Sequence, residues 1–280
     1  MLRPLQQHPH FADCLRAGGR HIIETEHGNI LLRRFASLKV GLISRGSRAM
    51  LSAPVPRLTT RIFNAEEGFG GPLSQNGYWQ LRSGIEIAEW SLDGPLPDLA
   101  KAMRKTWRHA LNRAEDASLK ISVTTMPSTS NHWLLEAEQA QARARGYTAL
   151  PLWITRAWAT LHPKDAVLIE ARRKGELAGG MVFLRHGKVA TYHISHATAL
   201  GKETDAHRAM LWRAATHFKM RGVSRIDLGT LDQEAAPGLA SFKLGTGAQA
   251  RKLGGTWLSL PGIARARRHW IRHTPTSQNA

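Results

Sequence analysis

The residues of this chain best suited to chemistry lie near its C-terminal end. From Gly238 to Ala248 the sequence reads Gly-Leu-Ala-Ser-Phe-Lys-Leu-Gly-Thr-Gly-Ala, so Lys243 is a single charge in an apolar, glycine-rich setting. Most other lysines and arginines have polar or charged neighbours that suit a solvated face, whereas Lys243 has to bring its ammonium close to packed backbone. An enzyme keeps a fixed cation in such a place. Asp227 precedes it, between Ile226 and Leu228 near the end of an expected strand, where a carboxylate can orient a substrate group or accept a proton. Strand alternation over 191–196 sends Thr191, His193 and Ser195 to one face and Tyr192, Ile194 and His196 to the other, so His193 can line a cleft as a general base. Each has a structural alternative. Lys243 can snorkel to the surface, Asp227 can cap the glycine-rich turn that follows, and His193 can be a buried packing histidine.

These residues need elements to hold them. A short helix is expected over 9–18, then strands over 22–25, 30–35 and 40–44, with His27-Gly28-Asn29 as a turn. Pro, Gly and Asn make 53–77 a loop with at most a short helix, and a strand returns over 85–90. From 96 a basic amphipathic helix begins, with Leu99, Met103, Trp107, Leu111 and Ala114 on one stripe and Lys101, Arg104, Lys105, Arg108 and Asn112 on another. Helices over 131–145, closed by Gly146, and from Pro151 to 161 precede an antiparallel meander over 166–171, 177–185 and 189–196. A long helix over 203–221, with Ala206, Ala209, Met210, Ala214, His217 and Met220 inward, and a strand over 224–228 lead to the lysine segment.

Helix, meander, long helix and strand in this order resemble the acyltransferase fold of the GNAT superfamily. Residues 103–115, Met-Arg-Lys-Thr-Trp-Arg-His-Ala-Leu-Asn-Arg-Ala-Glu, resemble the segment that introduces the second domain in the FemAB family of aminoacyl transferases. Ile226-Asp227-Leu228-Gly229 and Phe242-Lys243-Leu244-Gly245 resemble that family's terminal motifs, and 39–46, with Ser44-Arg45-Gly46, its first-domain strand and turn. The family generally has two tandem GNAT-like domains, and the stretch before the basic helix is short for a complete one. The expected fold class is α+β, with an abridged N-terminal GNAT-like half over 1–95, a complete C-terminal GNAT domain over 96–261 and a basic tail over 262–280.

The resemblance implies transfer of an activated aminoacyl or acyl group onto an amine, which requires a neutral amine, an aligned carbonyl and stabilisation of the developing oxyanion. It implies Lys243 as the oxyanion-stabilising cation, beside which Asp227 at the substrate amine and His193 as general base are the candidates read from the residues themselves. Phe242, Tyr192 and Arg208 are the expected substrate contacts, although packing also accounts for Phe242 and a solvated helix face for Arg208. Many GNAT acetyltransferases hold the pyrophosphate of coenzyme A on a glycine-rich turn at a helix N-terminus. Here 197–202 reads Ala-Thr-Ala-Leu-Gly-Lys and offers only Gly201 and Lys202. That favours an aminoacyl-tRNA donor, with acyl-CoA as the alternative. Neither is a permanently bound cofactor, and no metal is expected. The implied acceptor is an amine, such as that of a lipid-linked peptidoglycan precursor, a polysaccharide or a small metabolite.

Composition agrees with a polyanionic partner. Lysine and arginine number 39 against 21 acidic residues, a net charge of +18, which draws in RNA, acidic lipid and phosphorylated ligands. A chain of 280 residues with 42% hydrophobic content supports one large or two modest cores. Cys14 is the only cysteine, which excludes an intramolecular disulfide framework and fits a reducing cytoplasm. The first ten residues have no apolar run typical of a secretory leader, and no stretch approaches the length of a membrane span. Arg265, Arg267, Arg268 and Arg272 in the tail suit a solvated end or docking on the anionic inner face of the membrane. A non-catalytic nucleic-acid-binding module is the contrasting expectation. It needs a stacking platform, whereas Trp107, Trp133, Trp153, Trp158 and Trp212 fall at helix-packing positions.

Overall fold

The structure is a computed structural model that describes residues 2–128 and 131–261, so the basic tail and its expected anionic contact lie outside the described residues. The chain divides into two compact units, one built from Glu86–Arg251 together with the residues up to Leu5 and the other from Gln6–Ile85 together with a strand at Gly255–Ser259.

The Gln6–Ile85 unit contains α1 (Pro9–Ala17), β1 (His21–Thr25), β2 (Gly28–Phe35), β3 (Leu38–Gly46), β4 (Thr59–Ala65), α2 (Gly70–Gln75) and β5 (Trp79–Arg82). β1, β2 and β3 form an antiparallel meander, and β4 then pairs parallel to β3. Residues 53–77 therefore hold a strand where a loop is expected. The run Thr-Thr-Arg-Ile-Phe-Asn-Ala is β-branched and aromatic enough to pair, but flanking prolines and glycines hide it. Ile30, Ile43, Met50, Phe63, Leu73, Tyr78 and Trp257 pack the core of this unit.

The other unit contains β6 (Glu86–Ser91), α3 (Leu96–Ala102), α4 (Lys105–Asp116), β7 (Lys120–Thr125), α5 (Trp133–Arg145), α6 (Leu152–Leu161), β8 (Ala166–Arg173), β9 (Glu176–His186), β10 (Val189–Ala197), α7 (Ala199–Glu203), α8 (Ala206–Lys219), β11 (Arg225–Leu231), α9 (Pro237–Gly245) and β12 (Gln249–Lys252). Its seven-stranded sheet has the order β12-β6-β11-β10-β9-β8-β7. The chain's last described strand, β13 (Gly255–Ser259), returns to the first sheet between β4 and β5. The fold is α+β, as expected.

Two expected helices differ from their expected course. The basic helix splits into α3 and α4 because Met103 and Arg104 take extended backbone, which lets the Arg104 N–H donate to Gly245 O at 2.9 Å. The apolar stripe of Leu99, Met103, Trp107, Leu111 and Ala114 is buried across the break. The segment before the long helix forms the short α7, and the long helix itself, expected from 203, begins only at Ala206, after Asp205 with its left-handed φ of 53°. It also ends at Lys219, so Met220, placed inward from the sequence, lies past the helix and is 68% exposed. The core of this unit gathers Trp90, Trp107, Met181, Phe183, Met210 and Phe218 around the sheet. Glu89 ties three strands at its edge, accepting from Arg251 at 2.8 and 2.9 Å and pairing with Arg225 at 3.1 Å. Among the described residues no helix is long and apolar enough to cross a membrane.

Candidate functional site

The sheet of the Glu86–Arg251 unit comes apart in its middle. β10 and β11 run parallel but pair only at Val189↔Arg225, Ala190↔Ile226 and Thr191↔Asp227. Beyond that point β10 continues along β9 as far as Ala197, and β11 continues along β6 as far as Leu231. Both strands change register where they part, β10 between Tyr192 and Ile194 and β11 between Asp227 and Gly229. An extra residue bends a strand and re-aims its side chains, so two bulges side by side open a wedge between the facing strand edges. Backbone groups on such edges can pair with an extended ligand.

Lys243 and Asp227 meet at this wedge. From α9 the Lys243 side chain reaches the β11 edge, where Nζ donates to Thr230 O at 2.7 Å, and the residue is only 5% exposed. Gly229 lies beneath it with φ 76°, and a Cβ at that position would stand 3.9 Å from Nζ. Asp227 is buried, and its Oδ1 accepts the Gly229 N–H at 2.8 Å. Burial pushes the Lys243 pKa down to about 8, against the opposing pull of the Asp227 charge. The ammonium does not snorkel to solvent. It is a desolvated cation beside strand backbone, still charged at neutral pH.

The basic helix holds the lysine helix in place. Trp107 Nε1 donates to Phe242 O at 3.1 Å, and Gly245 packs so closely on the same indole that a Cβ there would fall 2.5 Å from Trp107 Cδ1. The Phe242 ring is half-buried between Trp107 and His207, at centroid distances of 6.2 and 6.1 Å. His207, near the start of α8, is a residue that sequence reasoning passed over, because nothing in its spacing sets it apart from its helical neighbours. Its ring lies between Phe242 and the His196 carbonyl at the end of β10, and its Nε2 is buried with no hydrogen-bond partner among the described residues. Burial pushes its pKa down to about 4, so its imidazole is neutral at neutral pH.

The other expected site residues are placed differently. The bulge breaks the alternation at His193, whose Nε2 lies 2.7 Å from Thr155 Oγ1 on α6; burial pushes its pKa to about 4. Tyr192 donates its hydroxyl to Ser195, and burial raises its pKa to about 12. Arg208 pairs with Asp205, which also binds Arg113 at 2.6 Å. Gly201 has its amide engaged within the chain. Its N–H donates to Thr198 Oγ1 at 3.2 Å, and the residue is glycine because a Cβ would stand 1.8 Å from Ala178 O. Lys202 is exposed in the same short helix. Among the described residues no group of three or more His, Cys, Asp or Glu side chains is placed to hold a metal.

His193, His207 and His217 are each held near pKa 4, against an ordinary value of 6.5, with burial as the largest cause. Between pH 6.5 and 4 the unfolded chain binds protons that the folded chain refuses, so stability is lost as pH falls through this window. The urea midpoint is therefore expected to be lower at pH 5 than at pH 7. An equal midpoint at both would contradict the burial of these rings.

Residues 101–249 match the family model of the acetyltransferase (GNAT) domain. The chain is similar in structure to FemX, with 10% identity and a TM-score of 0.71 over 96% of this chain and 95% of that one. It is also similar to the C-terminal domain of a putative lysylphosphatidylglycerol synthetase from Agrobacterium fabrum, with 13% identity and a TM-score of 0.55 over 95% and 92% of the two chains. L-PGS from Bacillus licheniformis gives 14% identity and 0.55 over 98% and 100%. No curated protein matches the chain by sequence.

Proposed function

The chain belongs to the GNAT acetyltransferase family, and we propose that this acyltransferase moves an aminoacyl group from tRNA onto the amine of a lipid-linked peptidoglycan precursor. The observation that carries the reading is the buried Lys243 ammonium at the parting of β10 and β11. In the proposed reaction the neutral acceptor amine attacks the ester carbonyl, a C–N bond forms, and the C–O bond to the ribose breaks. Lys243 faces the negative charge that develops on the carbonyl oxygen, where a fixed cation in a water-poor site acts strongly. The proton lost by the attacking amine passes to the departing ribose oxygen, and the His207 Nε2 lone pair is the group that relays it. Asp227 steadies the Lys243 charge. Phe242 and Tyr192 shape the walls of the wedge.

Support for a tRNA donor comes from the phosphate turn that coenzyme A would use. The Gly201 amide is engaged by Thr198 and Arg208 is paired with Asp205, which leaves exposed Lys202 as the one expected anion contact without such a tie. The net charge of +18 suits a polyanionic donor. The likeness to a protein named lysylphosphatidylglycerol synthetase supports aminoacyl chemistry on a lipid-borne acceptor at the inner face of the membrane. The second reading, acetyl-CoA acting on a small-molecule or polysaccharide amine, is favoured by the family match itself.

Incubating the purified protein in parallel with alanyl-tRNA and with acetyl-CoA, each with a muramyl-pentapeptide precursor, separates the two readings. Loss of the acyl group from tRNA, with a matching mass gain on the precursor, is the expected result. Consumption of acetyl-CoA alone would favour the second donor, and consumption of neither would remove the first reading.

A further inference from the structure

A second basic site lies away from the wedge, toward the other end of α8. Thr124 and Thr125 at the end of β7, Lys164 before β8, Arg185 at the end of β9, His217 in the last turn of α8 and Arg221 just past it surround a cleft of about 420 Å³. His207 and His217 are ten residues apart, which along an α-helix is about 15 Å. The cations come from three separate parts of the chain, and among the described residues no carboxylate lines the cleft. Asp165 holds Arg185 at 2.5 Å. Arg221 instead donates to the buried His217 Nδ1, at 3.1 Å. That bond orients the guanidinium without neutralising it, and Arg221 is exposed. Desolvation of the ring, together with Arg221, Arg213 and Arg185, keeps His217 uncharged with a pKa of about 4. Like charges gathered around one cleft repel one another unless an anion sits among them.

We infer that this cleft holds a phosphodiester group of an RNA strand, with Lys164 and Arg221 on the phosphate oxygens and the Thr124 and Thr125 hydroxyls beside the sugar. The volume is larger than a bare phosphate needs and takes a phosphate with its attached ribose, and valines of β7 and β8 supply an apolar wall for the sugar. A concave cleft suits one protruding backbone unit better than the flat face of a bilayer. This inference rests on the reading of tRNA as donor and gives the RNA a second contact remote from its reactive end.

The test is fluorescence anisotropy of labelled, uncharged tRNA with the full-length protein over a salt series. The double variant Lys164→Gln with Arg221→Gln is compared with a control of equal charge loss at the opposite end of β8, Arg172→Gln with Lys174→Gln. The cleft variant is expected to bind more weakly and to lose about 1 from the salt slope for each contact removed, while the control stays close to the parent. Lys164→Gln alone touches no core hydrogen bond and is expected to show about half that loss. Equal slopes for the cleft variant and the parent would overturn the cleft site and leave the donor reading standing. A parent that binds no tRNA would overturn both. A cleft variant that loses binding only to phosphatidylglycerol vesicles, and not to tRNA, would assign the site to lipid instead.

Discussion

Lys243→Met is expected to lose acyl transfer by about 100- to 1,000-fold in kcat, the loss typical when one oxyanion-stabilising group is removed, while the chain stays folded. Methionine fills similar volume in a site that is 5% exposed, and it removes the cost of desolvating a charge. The same substitution carries a stability signature that a merely structural lysine on the surface would lack. Lys243 loses its proton near pH 8 in the folded chain and near 10.5 when unfolded. Between those values the unfolded chain binds more protons, so the parent gains stability as pH rises through the window, by about 1.4 kcal/mol per pH unit. The variant is expected to show no such rise and to be at least as stable as the parent at pH 7. Urea unfolding at pH 7, 8.5 and 10 checks this. A parallel rise in both proteins would place the titration elsewhere.

Gly201→Ala is expected to damage the fold that positions the wedge. Its Cβ would stand 1.8 Å from Ala178 O and 2.8 Å from Ala178 C, both backbone atoms of β9, so no side-chain rotation relieves the clash. Overpacking against rigid backbone is expected to cost at least about 3 kcal/mol, which for a chain of this size lowers the melting temperature by roughly 6–12 °C. α7 would have to move off β9, carrying with it the start of α8 and His207. Transfer should therefore fall along with stability, whereas Lys243→Met separates the two. Calorimetry beside a transfer assay measures both, and an unchanged melting temperature would contradict the packing role assigned to this glycine.

The parts of the fold that sequence made legible are those where local signals agree with tertiary demand. The meander of β8, β9 and β10 follows from apolar runs separated by Lys174-Gly175 and His186-Gly187-Lys188, and Gly175 and Gly187 take φ of 89° and 67°. Gly146 closes α5 in the left-handed conformation expected of it. What stayed hidden depends on long-range pairing or on single backbone angles. β13 returns to the first sheet after more than a hundred intervening residues, and no local pattern can announce a partner that distant. The break at Met103 interrupts a helix whose apolar spacing continues across it, so periodicity alone reads through, and the left-handed angle of Asp205 that delays α8 leaves no mark on the pattern.

The candidate site divides along the same line. Lys243 and Asp227 are visible because their neighbours are so unlike them in polarity, and the structure places both at the parting of the strands. His193 was assigned by strict alternation, and the β10 bulge turns it to Thr155. His207 carries no sequence signal. Its interest lies in a buried nitrogen without a partner, which only packing reveals. Gly201 looked like a remnant of a phosphate turn, and proves to be a contact point between α7 and β9.

The most direct measurement of the central claim is the pH dependence of single-turnover transfer for the parent and for Lys243→Arg. If the Lys243 charge stabilises the oxyanion, the parent's rate falls as pH rises through about 8, where the lysine loses its proton. The arginine variant, permanently charged, keeps its residual rate across that range. An identical falling limb near pH 8 in both proteins would show that another group titrates, and would remove Lys243 from the reaction.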